Sequence, residues 1–446
     1  MKDLIRAIEL PDGQGSVSLL KDSQDGFVLE RVADRARIRN YVAQYEYINK
    51  EGESTLFSMT EEKGREILER MESGMAYASC YIFYEEGAHD ETDLTISDME
   101  HQYTSTGIKF WRHQEQMVNY SSGDPNTVIS THISPEGACN LKCPYCSVTY
   151  RDTHYRIEME VIQKYVEDLQ TRGLKAVILT GGGEPTLYKK FNELVQWLKY
   201  DRGLSVALIT NGTQHARIEP RTMSAFSWIR VSINIFDGWV KKISLPIADA
   251  SPDCIIGCSM VYTVEHEATK DMPLDRFILF ENVAQVANNV NAQYVRLLPN
   301  CLLEQKDLIA QHKSLDLALA KFDDPRFFHQ HKIHGAPSYG VCHQAYFRPY
   351  LSEEVYIPNG QPGTVYPCDS VVLNDAFTHF AEEYQICHAS DILKFLDRQI
   401  EMKFDPRERC TGCVFTNNVN MLGDWKEGKI DRFAEFPEAL EHEEFV

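Results

Sequence analysis

Residues Cys139–Ser147 read "CNLKCPYCS". Three cysteines fall within eight positions, three residues separating the first pair and two the second, and no fourth lies nearby. Zinc and iron–sulfur sites usually take four protein ligands. A loop this short can turn three thiolates to one face of a metal centre and leave its fourth corner without protein. On spacing alone, a zinc knuckle with a distant fourth ligand and plain reduced cysteines both stay open. What surrounds the loop narrows the choice.

The loop follows "TVISTHIS" (Thr127–Ser134), the first of six apolar strand-like runs. The others are "KAVILTGGG" (Lys175–Gly183), "SVALITNGT" (Ser205–Thr213), "WIRVSINIF" (Trp228–Phe236), "CIIGCSMVYT" (Cys254–Thr263) and "YVRLLPN" (Tyr294–Asn300). Amphipathic stretches such as Glu158–Gly173 and Lys189–Gly203 lie between them, each stopped by a glycine. Near-continuous apolar strands alternating with helices indicate a parallel sheet covered by helices. Six units suit an α/β fold built as a partial (β/α)6, TIM-like barrel at about residues 125–335, open and not an eight-fold closed one.

Farther out the texture changes. Residues 1–105 read as a small α+β accessory domain: "RNYVAQYEYIN" and "MAYASCYIFYEE" as strands, "SMTEEKGREILERMESG" as a helix with Ser58 and Glu61 as a capping box. "IKFWRHQEQMVNYSSGDPNT" reads as a connector into the barrel. Residues 336–446 are rich in Cys, Pro and Gly, and the acidic tail "FPEALEHEEFV" reads as solvated.

Composition limits the partners. The chain has 446 residues, enough for two or three domains, and a net charge of −21 that argues against gripping a duplex nucleic acid. No apolar run reaches membrane-span or signal-peptide length, so the protein reads as cytoplasmic and free of the membrane. Twelve cysteines in that compartment point to metal binding in preference to disulfides.

"CNLKCPYC" after a first strand and "TGGGEP" after a second closely resemble the radical SAM superfamily, over about residues 125–335. The resemblance implies a [4Fe–4S] cluster on Cys139, Cys143 and Cys146, with Tyr145 at the family's aromatic position contacting adenine through its backbone. The fourth iron is then chelated by the amino and carboxylate groups of S-adenosylmethionine (SAM), which accounts for the missing ligand. Reductive cleavage of SAM would give a 5′-deoxyadenosyl radical that abstracts hydrogen from substrate. An electron donor such as flavodoxin or ferredoxin is implied.

"LTGGGEPTL" by itself is an ordinary glycine-rich turn, but its position resembles the family's GGE motif, which assigns Gly182, Gly183 and Glu184 to the SAM amino group. Ser232 and Asn234 alternate along "VSINIFDG" and so face one way, where relatives bind ribose and carboxylate. Asn211 is either a ligand or a turn former. Arg296 reaches the SAM carboxylate or caps the barrel rim.

The C-terminal third holds Cys342, Cys368, Cys387, Cys410 and Cys413. "GTVYPC" (Gly363–Cys368) followed by "CTGC" (Cys410–Cys413) resembles the twitch or SPASM extension, which implies one auxiliary [4Fe–4S] cluster on Cys342, Cys368, Cys410 and Cys413. Cys342 stands farther from Gly363 than the pattern expects, no cysteine follows Cys413, and Cys387 is left as a buried thiol. A structural zinc site with four cysteines remains the alternative.

The leading functional expectation is hydrogen abstraction from a small polar molecule, sugar-like or nucleotide-like, ending in oxidation, rearrangement or deoxygenation. Peptide maturation of the SPASM type comes second. A non-catalytic iron–sulfur carrier or zinc-stapled binding protein leaves "GGGEP" beside a three-ligand loop without an explanation. No catalytic side chain is assigned from the sequence.

Overall fold

The computed structural model describes residues 2–9, 16–22, 26–32, 39–42, 44–48, 54–58, 60–72, 84–85, 98–105, 107–143, 146–148, 151–233, 243–262, 268–269, 272–273, 276–300, 305–320, 322–331, 335–353, 361–372, 381–430 and 440–446. Two compact units divide between Thr95 and Ile96.

In the unit from Ile96 onward, seven parallel strands follow one another in chain order. They are β1 (Ser130–Ile133), β2 (Ala176–Leu179), β3 (Ser205–Thr210), β4 (Phe226–Ser232), β5 (Ile255–Tyr262), β6 (Tyr294–Pro299) and β7 (Phe327–His329). The six apolar runs of the sequence are β1–β6, and β7 adds an edge strand beside β6. On the other side of β1 the sheet continues through β8 (Tyr350–Ser352), β9 (Thr364–Tyr366) and β10 (Cys387–His388). The strand order does not close on itself, so the architecture is a partial α/β barrel. Every residue of β1 and β2 is buried, as strands covered on both faces require.

Helices cover the outside: α1 (Gln114–Ser122), α2 (Met159–Gln170), α3 (Phe191–Gln196), α4 (Arg276–Asn289) and α5 (Gln305–Leu319), with α6 (Thr416–Lys426) near the C-terminus. In α2 the buried side chains Ile162, Tyr165, Val166 and Leu169 recur at helical spacing and form one apolar stripe. Gly173 follows with φ +105°, a backbone conformation that glycine adopts without strain.

Two segments are more deeply built in than their composition suggests. The presumed connector forms a 3₁₀ turn (Gly107–Arg112) and α1, with Phe110 and Met117 fully buried. Phe110 meets Phe347 edge-on, and the Trp425 indole donates to the Met117 carbonyl at 2.7 Å. The segment therefore clamps the C-terminal region to the barrel. The acidic tail is likewise not solvated over its described part. Phe445 joins Ala176, Ile178, Ala207 and Trp228 in a second apolar cluster, on the face of β2–β4 turned away from the main core. Lys109 donates to the Glu441 and His442 carbonyls, tying the tail's backbone down. Burying one Phe contributes about 1.5–3 kcal/mol, and the neighbouring Glu441, Glu443 and Glu444 stay partly exposed and so keep much of their hydration.

The unit Met1–Thr95 is α+β. A five-stranded antiparallel sheet (Lys2–Glu9, Ser16–Asp22, Gly26–Val32, Arg39–Val42, Tyr84–Glu85) carries a helix, Glu61–Glu72. Gly64 lets the helix approach: a Cβ there would stand 2.4 Å from Leu19 Cδ1. "RNYVAQYEYIN" is two strands, not one, because Gln44–Ile48 leaves the sheet to pair with Ser54–Ser58. Ser58 closes that hairpin strand and the helix begins at Glu61, so Ser58 is not its cap. Of "MAYASCYIFYEE" only Tyr84 and Glu85 fall among the described residues.

Candidate functional site

A cavity of about 660 Å³ opens where strands β1–β5 end. Cys139, Cys143 and Cys146 line it together. Their loop leaves β1 and folds back on itself: the Gly137 N–H donates to the Tyr155 carbonyl and the Ile157 N–H to the Pro135 carbonyl. Burial raises the Cys139 thiol pKa, while the Arg151 guanidinium works against the rise. Arg151 donates to the Gly137 and Val148 carbonyls at 3.0 Å and reaches the Cys146 sulfur at 3.4 Å. It stitches the ends of the cysteine loop together and sets a positive charge beside the thiols. Nothing in the local pattern signals this role, because a single arginine after a metal motif looks like any surface residue.

The glycine turn after β2 forms another wall. A Cβ on Gly183 would stand 2.2 Å from the Ala138 carbonyl oxygen and 2.4 Å from that of Glu136. One on Gly182 would stand 2.3 Å from Glu353 Oε1. The close approach is used: Gly183 N–H donates to the Glu136 carbonyl, Glu184 N–H to the Ala138 carbonyl, and Gly182 N–H to the Ser134 hydroxyl. Only glycines let this turn lie against the start of the cysteine loop.

Glu184 is buried and lines the cavity. Its Oε1 accepts from the Thr186 N–H (3.1 Å) and from the Thr186 and Thr210 hydroxyls (both 2.6 Å), and its Oε2 from the Asn211 N–H (2.8 Å). Desolvation raises its pKa despite these donors. The carboxylate thus joins the ends of β2 and β3, and Oε2, with one of these bonds, retains acceptor capacity.

Asn211 is both a turn former and a cavity residue. Its Oδ1 accepts from the Thr213 N–H and hydroxyl, and its Nδ2 donates to Asn140 Oδ1 at 2.9 Å, inside the cysteine loop. Ser232 lines the cavity from β4 and Ser259 from β5. Arg296 is not among the lining residues. Its guanidinium donates to Ser259 Oγ (2.9 Å) and Gln330 Oε1 (2.8 Å), so it supports the wall from behind. Burial pulls its pKa down to about 9. Tyr145 and Asn234 lie outside the described residues.

Cys342, Cys368, Cys410 and Cys413 come together far along the chain from that loop and line a cavity of about 20 Å³ with Phe404 and Phe415. Burial pushes the Cys410 thiol up to about 12 and raises Cys342 and Cys368 as well. Cys387 is not in this group; it pairs with Val365 in β10 of the sheet. The set is attached directly to the barrel. β8 lies parallel to β1, and His132 of β1 faces Asp369, next to Cys368, at 3.6 Å. No helix among the described residues is long and apolar enough to cross a membrane.

Residues 133–243 match the Radical SAM superfamily. An S-adenosylmethionine-dependent nucleotide dehydratase of Selenomonas ruminantium is 28% identical over 109 residues, covering 24% of this chain and 38% of that protein. An Fe-coproporphyrin III synthase of Methanosarcina barkeri is 36% identical over 114 residues, covering 24% of this chain and 28% of the relative. The chain thus spans well under half the length of these curated relatives. Streptococcus suis SuiB bound to S-adenosylmethionine is 13% identical, with a TM-score of 0.38 over 55% of this chain and 61% of that one.

Proposed function

We propose that this chain, whose residues 133–243 match the Radical SAM superfamily, is an enzyme abstracting hydrogen from a small polar molecule and carrying one auxiliary [4Fe–4S] cluster. The observation that carries this reading is the cavity of about 660 Å³ with three thiols on one wall and a glycine cradle on another. Such a volume lies within the range of small-molecule sites.

The residues fit the group the family implies. Cys139, Cys143 and Cys146 would hold a [4Fe–4S] cluster with one corner open, and Gly182, Gly183, Glu184, Asn211 and Ser232 would receive SAM. When bound and reduced, this pair supplies a 5′-deoxyadenosyl radical. The chain's own part is positional. Glu184 locks β2 to β3 and offers Oε2 to an ammonium group; Asn211 and Arg151 fix the cysteine loop from both sides. The strand ends that back the cavity, Thr180, Thr210 and Asn211 among them, are buried.

Four thiols lining one cavity supply the full donor set of an auxiliary [4Fe–4S] cluster.

The test is anaerobic reconstitution with iron and sulfide, then SAM and dithionite. 5′-Deoxyadenosine is the expected product. Incubation with sugars and nucleotides in D₂O-free buffer, each deuterated at carbon, should move deuterium into 5′-deoxyadenosine for the true substrate class. Transfer from a peptide and from no small molecule would replace this reading with peptide maturation.

A further inference from the structure

We propose a third metal site, binding one zinc ion on the helix-covered side of edge strand β7. Asp316 of α5, His329 at the end of β7 and His331 just beyond it each place a ligand atom within 4.8 Å of the other two. Among the described residues this is the one such group of three drawn from His, Cys, Asp and Glu. None of the three lines the cysteine cavities.

Strand geometry produces the pair. Gln330, between the two histidines, turns inward to Arg296, so alternation sends His329 and His331 to the other face. On α5, His312 and Asp316 lie one turn apart and meet them there. The imidazoles lie close together, His312 stacking on His329 with centroids 4.8 Å apart and His331 tilted by 36° against His329 at 4.0 Å.

The imidazoles are also held from behind. His329 Nε2 lies 2.6 Å from His312 Nδ1, while its Nδ1 faces Asp316 Oδ1 at 2.6 Å. His331 Nδ1 faces Glu100 Oε2 at 3.3 Å, and the His331 N–H donates to Glu100 Oε1 at 3.1 Å. His329 Nε2 is thus fixed by His312 and His331 Nδ1 by Glu100, the arrangement that orients metal-bound imidazoles, and a zinc ion would take the place of the His329 Nδ1–Asp316 hydrogen bond. Two imidazoles and a carboxylate, with water in the fourth position, are a zinc donor set. Asp316 is exposed, which gives the ion a way in and the water a place. The ion would tie α5 and the Glu100 helix (Asp98–Tyr103) to the open edge of the barrel. That edge carries Gln330, and through Arg296 and Ser259 it supports the cavity wall.

The experiment uses the full chain with its iron–sulfur sites reconstituted, cleared of loose metal with EDTA and equilibrated with micromolar zinc. Metal analysis should give about one zinc per chain beside the iron. The zinc K-edge X-ray absorption spectrum should show nitrogen and oxygen neighbours and no sulfur, since the ligands are His329, His331 and Asp316. Asp316→Asn and His331→Ala should each lose the zinc, with iron content reporting that the fold survives. Glu100→Gln should weaken zinc binding by about 10–100-fold. No zinc in the wild-type chain, sulfur in its shell, or zinc retained in both ligand variants overturns the site and leaves a hydrogen-bonded histidine cluster.

Discussion

Cys139, Cys143 and Cys146 are partly buried on the wall of a cavity of about 660 Å³, whereas Cys342, Cys368, Cys410 and Cys413 surround one of about 20 Å³. The same side chain serves both places, and the difference lies in what shares the space. In the first, glycines and small polar residues leave room beside the sulfurs, and Arg151 offsets part of the cost of ionising Cys139. In the second, Phe404, Phe415 and Val419 fill the surroundings, and burial raises the Cys368 thiol well above its ordinary value. An open three-thiol site is built to admit a second ligand. A closed four-thiol site is built to exclude one.

The largest test of that contrast replaces Cys139, Cys143 and Cys146 together by Ala. 5′-Deoxyadenosine formation should vanish, while about four irons per chain remain on the closed site with a spectrum indifferent to SAM. Undiminished product would end the assignment of the open site. The converse variant, Cys410→Ala with Cys413→Ala, should cut iron from about eight to about four per chain and leave SAM binding in place. Iron content unchanged in that variant would show that these thiols hold no cluster.

Gly183→Ala asks whether the space beside the open site is required. Its Cβ would meet two backbone carbonyls, which cannot swing aside as a side chain can. Overpacking of this kind costs about 1–3 kcal/mol, and SAM binding measured by titration should weaken about 10-fold or more. Wild-type affinity would mean that the turn relaxes freely.

Glu184→Gln should act more locally. Both carboxylate oxygens accept a fixed backbone N–H, from Thr186 and from Asn211, so either orientation of the amide points a donor at a donor. An unsatisfied donor costs about 1–3 kcal/mol. Thermal unfolding and SAM titration should both register the loss, with iron content unchanged; an unaltered melting curve would remove Glu184 from its bridging role. The smallest effect belongs to Cys387→Ala, which lies apart from the closed site and should leave iron content untouched. A loss of iron there would redraw the ligand set.

Short-range patterns carried the sequence reading far. The cysteine spacing, the glycine turn and the six apolar runs are legible because loop reach and strand or helix period are properties of neighbouring residues. The first six barrel strands follow from those runs, and the short edge strand β7 does not. Composition misleads for the acidic tail because it reports average polarity, and burial there depends on a few side chains, Phe445 among them, meeting distant strands; the connector's Phe110 is buried in the same way against Phe347.

By itself the sequence determined the order of strands and helices, the three-thiol loop and the glycines that let it be approached. Tertiary structure alone decided that Arg151 would stand beside Cys146, that Glu184 would bind β3, and that His329 and His331 would meet Asp316. The reason is physical. Contacts within one turn or loop are imposed by backbone geometry, while contacts between distant positions exist only once the sheet has set which strand ends and helix faces lie side by side.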